Sequence, residues 1–231
     1  MRILVTGAAG FMGSWIAEAF ANSKQHWVLG VDDLSGGTGQ NIRYWESYFG
    51  RFVLQDLRDP VQVDALFRWF CPEIVYHLAA HPHEGLSQFA PYDVFTTTAV
   101  TSINVFRAAV KHGVKKVIFF SSMARYGHGN YTPPFAEDTH PRAPVDIYGA
   151  AKTASEVALE ALSQTHGIDY TIIVPRNVAG PRQARHDPCR NVLAIWINML
   201  LRGRDIYIYG DGLQERTFSD IRDSLPCYIR A

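Results

Sequence analysis

The chain has no excess of charge of either sign: 22 lysines and arginines are balanced by 22 aspartates and glutamates over 231 residues. Binding a nucleic-acid backbone or an anionic lipid surface draws on concentrated Lys and Arg, so no nucleic acid and no membrane is expected as a partner. An anionic ligand would have to be met locally. Cysteine is equally scarce. Cys71, Cys189 and Cys227 are widely spaced and odd in number, which argues against a disulfide framework and a CxxC metal site and predicts buried thiols in a reducing compartment. No apolar run approaches the ~20 residues that span a bilayer. The N-terminus runs directly into the strand-like Arg2-Ile3-Leu4-Val5-Thr6 instead of a charged segment followed by an apolar one, and a cytoplasmic chain is therefore expected. Low-complexity tracts and internal repeats are also missing. With 47% hydrophobic residues, the chain can bury a substantial core, as one domain or one domain with a small appendage.

What is present is an alternation of short apolar runs with longer helical patterns, the pattern of βαβ units on a parallel sheet. Strands are predicted at Ile3–Val5, Trp27–Val31, Arg51–Leu54, Ile74–His77, Val117–Phe120 and Tyr170–Val174, and most are apolar on both faces, as buried parallel strands must be. Helices are predicted at Met12–Ala21, Val61–Phe70, Thr97–Lys111 and Tyr148–His166. The loops His81–Pro91 and Gly127–Pro144 follow strands and are expected to frame a site beyond the strands' carboxyl ends. The fold class is thus α/β, a Rossmann-type doubly wound parallel sheet over residues 1–176. After Asn177 the rhythm weakens, leaving a helix around Val192–Leu201 and a short strand at Ile206–Tyr209. Trp15, Trp69 and Trp196 stand at helical positions and are expected in the core.

Gly7, Gly10 and Gly13 fall between the first strand and the first helix. There the lack of a Cβ lets the backbone turn tightly and bring a pyrophosphate to the helix N-terminus, with Phe11 and Met12 in the first helical turn. Alone, this Gly-x-x-Gly-x-x-Gly spacing is weak. Asp32 strengthens it, because it closes the second predicted strand ~20 residues further on, where an acid receives the adenosine ribose. Such a carboxylate favours NAD and repels the 2′-phosphate of NADP. Asp33 is the alternative ribose ligand, and one of the two is expected to be solvated or to cap a turn. Asp56, with Leu57, either caps the helix before Val61 or contacts adenine.

Tyr148 and Lys152 lie one turn apart on one helical face. A phenol ionises near pH ~10, and a nearby ammonium lowers that value enough to make it a usable acid and base. Ser122, which closes the fifth strand, would place a hydroxyl beside the same cofactor face. His77, His81, His83 and Glu84 cluster in sequence, but His77 should point into the sheet and the others read as ordinary loop residues, so no metal is expected.

These residues sit in longer segments: Thr6-Gly7-Ala8-Ala9-Gly10-Phe11-Met12-Gly13, Asp56-Leu57, His77-Leu78-Ala79-Ala80, Ser121 to Gly127, Tyr148-Gly149-Ala150-Ala151-Lys152, Asn177 to Arg182 and Tyr209-Gly210-Asp211-Gly212. Together they resemble the extended short-chain dehydrogenases/reductases, in particular the nucleotide-sugar epimerase/dehydratase group that contains UDP-glucose 4-epimerases, across essentially the whole chain. The resemblance implies NAD as cofactor, with Leu78, Ala79, Ala80 and Thr98 beside it. It implies Ser122, Tyr148 and Lys152 as catalytic residues, Tyr148 and Lys152 also contacting the cofactor, with Lys152 holding the nicotinamide ribose. Ser122, Tyr148, Asn177 and Arg216 would bind a UDP-linked sugar, whose carbon 4 loses hydride to NAD and regains it on the other face. It also implies a homodimer through a four-helix bundle of the Thr97–Lys111 and Tyr148–His166 helices.

Several positions depart from the family pattern. Thr98 replaces an asparagine. Arg125 replaces a small or apolar residue and is expected to be solvated, contact with an anionic sugar being the other possibility. Ala179 takes the place of a tyrosine, and Arg222 that of an acid. Family members continue past Gly210-Asp211-Gly212, so residues 177–231 are expected to form a small, incomplete substrate-binding part. Ser122-Met123-Ala124 lacks the acid pair of a dehydratase. The alternatives are a non-catalytic NAD sensor or heterodimerising paralogue and, among enzymes, a decarboxylase or epimerase of a UDP-uronic acid, which Arg125 alone would encourage.

Overall fold

The computed structural model describes residues 1–127, 140–184, 187 and 192–231. In chain order the first half runs β1 (Arg2–Thr6), α1 (Phe11–Asn22), β2 (Trp27–Asp32), α2 (Gly39–Ile42), β3 (Gly50–Leu54), α3 (Pro60–Phe70) and β4 (Ile74–His77). The short α4 (Glu84–Ser87) and α5 (Pro91–Phe95) follow, then a π-helical turn over Thr96–Val100 that opens α6 (Thr101–Lys111). The chain continues with β5 (Lys116–Phe120), a 3-10 turn over Met123–Tyr126, α7 (Ile147–His166), β6 (Asp169–Ile173), β7 (Val178–Ala179), α8 (Val192–Leu201), β8 (Ser219–Asp220) and α9 (Ile221–Arg230).

Six strands form one sheet in the order β3-β2-β1-β4-β5-β6, all parallel. The winding direction reverses between β1 and β4, where Thr6 lies beside Val31 on one side and His77 on the other. This switch point opens a crevice at the carboxyl ends of the strands. Successive side chains of each strand face opposite layers. Leu4, Leu29, Val75, Val117 and Phe119 pack with Val63 and Phe67 of α3, Val105 and Phe106 of α6 and Leu159 of α7. On the other face Ile3, Val5, Val28, Tyr76, Ile118 and Phe120 pack with Ile16 of α1 and Ile221 and Tyr228 of α9. Both faces being covered explains why the strands read as continuous apolar runs.

Local signals set the helix boundaries. Asp59 caps α3 by accepting from the Val61 and Gln62 N–H groups, and Pro60 occupies the first turn, where its missing N–H costs nothing. With Asp59 as the cap, Asp56 does not cap α3; it pairs instead with Arg58 at the edge of the site. Asp146 caps α7 by accepting from Gly149 N–H, and Gly167, at φ +73°, ends it in the left-handed region.

The structure corrects several expectations. Residues 206–209 form no strand, because no strand lies beside them among the described residues. A two-residue pairing of Val178–Ala179 with Ser219–Asp220 occurs instead. The chain then turns into α9, which Pro226 and the polar composition of the segment conceal in the sequence. Cys71 and Cys227 are exposed, not buried, and Cys189 lies outside the described residues. Most of the Gly127–Pro144 loop also lies outside them. Trp69 is 66% exposed.

The core tryptophan is Trp45, 1% exposed. A Cβ on Gly30 would come within 2.2 Å of its ring, so the glycine in β2 makes room for the indole. Trp45→Ala is expected to cost about 3–5 kcal/mol, the range for emptying a large aromatic site. Urea unfolding followed by circular dichroism would measure the loss.

Candidate active site

The crevice holds a cleft lined by residues from four successive strand ends. The β1–α1 turn supplies Gly7, Gly10, Phe11, Met12 and Gly13, and the end of β2 supplies Asp32 and Asp33. Asp56 and Leu57 follow β3, and Leu78, Ala79 and Ala80 follow β4. Gly7 has φ +70°, and a Cβ there would meet Ala79 N at 2.9 Å. Gly10 caps α1 with no side-chain hydrogen bond, and the first turn carries no acidic residue. The first amides of α1 thus face an open, uncrowded concavity, as a pyrophosphate requires.

Asp32 is 8% exposed. Its Oδ2 accepts from Ala9 N–H at 3.0 Å and its Oδ1 from Leu34 N–H at 2.8 Å. Burial raises its pKa and these two amides oppose the rise. Asp33 also caps the turn, accepting from Ser35 N–H at 2.9 Å and Ser35 Oγ at 2.6 Å. Arg58 is committed to Asp56, with Nη2 2.7 Å from Oδ2, and holds that carboxyl below the usual range. The donor set, one pre-bonded carboxylate at the β2 end and an uncapped glycine turn, fits NAD. Ser35, Gly36, Gly37, Gln55, Thr97 and Thr101 also line the cleft, outside the residues the sequence predicts. The Gly36-Gly37 pair was the available signal, since a Cβ on Gly37 would sit 2.8 Å from Ala9.

Thr98 is fully buried, and its Oγ1 accepts from His81 N–H at 3.4 Å, so it braces the loop after β4 and does not line the cleft. His77 is fully buried too, and counting donors assigns its tautomer. Thr6 Oγ1 accepts from Leu78 and Ala79 N–H, so its hydrogen goes to His77 Nδ1 at 2.7 Å. Ser102 donates to Thr98 O at 2.6 Å and accepts from His77 Nε2–H at 3.0 Å. Burial, and secondarily the charge of Lys152, pushes the His77 pKa well below its ordinary value, in keeping with a neutral ring. His83 is 6% exposed, and its Nε2 is 2.8 Å from Asp187 Oδ2.

A second cavity adjoins the first across Phe11, Met12 and Pro82 and brings Ser122, Tyr148 and Asn177 together. Ser122 caps the 3-10 turn by accepting from Ala124 N–H at 3.1 Å, and its own hydroxyl hydrogen remains to be donated. Tyr148 is 6% exposed. Asn177, at φ +41°, donates through Nδ2 to Thr217 O at 3.0 Å, tying the end of this wall to the segment that enters β8. Lys152 stands behind Tyr148, its Nζ 5.9 Å from the phenol ring centroid and donating to Phe120 O at 2.6 Å. Burial pulls the Lys152 pKa down to about 7, and Glu156 opposes the fall. Arg216 is exposed, donates to Glu215 O at 2.7 Å and is not among the residues lining either cavity. Arg125, expected in solvent, is 5% exposed and paired with Glu156, because the fold puts a buried carboxylate opposite it.

A doubly wound sheet with a glycine turn, an acid at the β2 end and a Ser/Tyr/Lys set at the next cavity defines an NAD-dependent short-chain dehydrogenase/reductase. More narrowly, the chain belongs to the NAD dependent epimerase/dehydratase family, whose model matches residues 3–231, and it is an enzyme of that family. It is 37% identical over 235 residues to a UDP-glucose 4-epimerase of Mycolicibacterium smegmatis, covering 100% of this chain and 73% of that one. The UDP-glucose 4-epimerase of Thermotoga maritima, solved with UDP-glucose, superposes with a TM-score of 0.91 at 32% identity, over 99% of this chain and 72% of that one. The UDP-glucose 4-epimerase of Thermus thermophilus, solved with NAD, superposes at 0.90 and 32% identity, over 100% and 74%. Among the described residues no helix is long and apolar enough to cross a membrane.

Proposed function

We propose that this chain interconverts the carbon-4 epimers of a sugar nucleotide, UDP-glucose and UDP-galactose being the first pair to test, with NAD held in the first cleft. The observation that carries the reading is that Ser122 and Tyr148 share the wall of the cavity adjoining that cleft, with Lys152 directly behind. Bound NAD supplies the acceptor for the carbon-4 hydride and the donor that returns it. Tyr148, as phenolate, takes the proton of the 4-hydroxyl and gives it back after the 4-keto sugar has presented its other face. Lys152, when charged, favours that phenolate and holds the nicotinamide ribose. Ser122 donates its free hydroxyl hydrogen to the reacting oxygen. Asn177 orients the diphosphate side, and Arg216 reaches the nucleotide from its exposed segment, where a guanidinium fork suits a phosphate.

Residues 1–176 would serve as the cofactor-binding part and 177–231 as part of the substrate wall, α9 packing back onto α1 through the shared core. A homodimer through α6 and α7 is part of the reading, supported by Ile103 and Val157, which are 45% and 51% exposed on those helices. So is a cytoplasmic setting, supported by free Cys71 and Cys227. A decarboxylase of a UDP-uronic acid is the second reading within enzymes, supported by the 32% identity to a UDP-N-acetyl-alpha-D-glucosaminuronate decarboxylase of Bacillus cytotoxicus; Arg125, paired with Glu156, lends it nothing. Incubation of the purified chain with UDP-galactose and NAD, with no reductant added, is expected to yield UDP-glucose by chromatography. Turnover of UDP-uronic acids alone would overturn the assignment of substrate.

A further inference from the structure

Beneath the Ser122, Tyr148 and Lys152 site lies a set of charges that the reaction does not touch. Glu156 is fully buried, four residues beyond Lys152 on α7 and so one helical turn away. Its carboxylate joins three elements: it accepts from Ser121 Oγ just past β5 and from Arg125 Nη1 at 2.9 Å in the 3-10 turn, and it forms an ion pair with Arg142 Nε at 2.8 Å in the segment entering α7. Arg142 also donates to Glu160 at 3.0 Å, and Ala143 N–H donates to Arg125 O at 2.8 Å. One carboxylate thus joins the strand end that presents Ser122, the turn that Ser122 caps and the helix that carries Tyr148 and Lys152. A buried carboxylate persists only when paired and hydrogen-bonded in this way.

We propose that Glu156, clamped by Arg125, is a positioning residue of the active site: it fixes Ser122 against α7 and supplies the negative charge that sustains the Lys152 ammonium. The kinetic consequence rests on the epimerase reading, and the electrostatic one does not. Lys152 is faced by the Phe120 carbonyl and Phe119 ring from β5, by the neutral His77 from β4, and by Tyr148 and Glu156 from its own helix. Glu156 is the anionic member of that set, and the guanidiniums of Arg125 and Arg142 offset part of its field.

Two substitutions should therefore move the Lys152 titration in opposite directions. Glu156→Gln removes the anion and leaves two guanidiniums behind, which favours the neutral amine. Arg125→Gln removes one guanidinium and strengthens the field of the anion, which favours the ammonium. The readout is the 15N resonance of Lys152 Nζ, identified by its loss in Lys152→Met and titrated in the whole chain. The midpoint is expected to fall by about one pH unit in Glu156→Gln and to rise by about half a unit in Arg125→Gln. Arg125→Lys, which keeps the charge, should restore the native midpoint. In the epimerisation assay Glu156→Gln should lower kcat by about tenfold with little change in KM, and its alkaline limb should move to lower pH. Midpoints that stay put, or that move the same way in both variants, overturn the proposal. If Glu156→Gln does not fold, the Arg125→Gln and Arg125→Lys pair decides it. A wild-type chain that turns over no sugar nucleotide would defeat the epimerase reading and leave the titration fully informative.

Discussion

Tyr148→Phe is expected to lower kcat for sugar-nucleotide epimerisation by about 100-fold to 10,000-fold, the usual worth of a positioned acid or base. The substitution removes one oxygen and keeps the ring that packs, 6% exposed, against the second cavity. Folding should therefore survive. The NAD cleft is formed by other strand ends, so NAD affinity should stay within about twofold of wild type, the signature of a group used in the reaction and not in ground-state binding. Steady-state kinetics beside an NAD titration would separate the two quantities. Undiminished turnover would remove the phenol from the chemistry and leave Lys152 and Ser122 without a proton carrier between them.

The second large effect concerns the glycine turn. A Cβ on Gly13 would stand 2.1 Å from Gly7 O and 2.8 Å from Gly7 C, both backbone atoms. Gly7 cannot retreat, since it is held at φ +70° against Ala79 N and its own N–H donates to Val31 O at 2.8 Å. Gly13→Ala must therefore pry α1 from the turn. The cost of such overpacking is about 1–3 kcal/mol, and because the displaced amides are those aimed at the cofactor, NAD affinity should fall by about 100-fold or more. Gly10→Ala meets a single atom, Gly7 O at 3.1 Å, and should be milder in both respects. Thermal melting with and without NAD would rank the two variants.

What the sequence made legible followed from burial and repetition. Strands covered on both faces show as unbroken apolar runs, and the six strands predicted before Asn177 all occur, Ile74–His77 with the same ends. The glycine turn is readable because Gly10 and Gly13 answer to the backbone of Gly7, within a few residues. Features set by distant contacts were hidden. Arg125 looked like a surface residue until Glu156, on another element, came to face it. Trp45 and Trp69 are equally apolar in sequence, yet only Trp45 finds the space that Gly30 leaves. The α9 helix carries Pro226 in its interior and is held by Ile221 and Tyr228 docking on the sheet, a contact no local pattern announces. Residues 206–209 have the apolar alternation of a strand and no strand beside them among the described residues, and a strand needs a partner more than a pattern.

The most direct measurement follows the hydrogen at carbon 4. UDP-galactose carrying deuterium there, incubated with the NAD-loaded chain in ordinary water, should give UDP-glucose that keeps the deuterium on carbon 4, with no net reduction of NAD. Product that has exchanged its label with solvent, or tight NAD binding with no product from any UDP-sugar, would contradict hydride abstraction and return at this site, the second outcome marking a chain that senses the cofactor without using it.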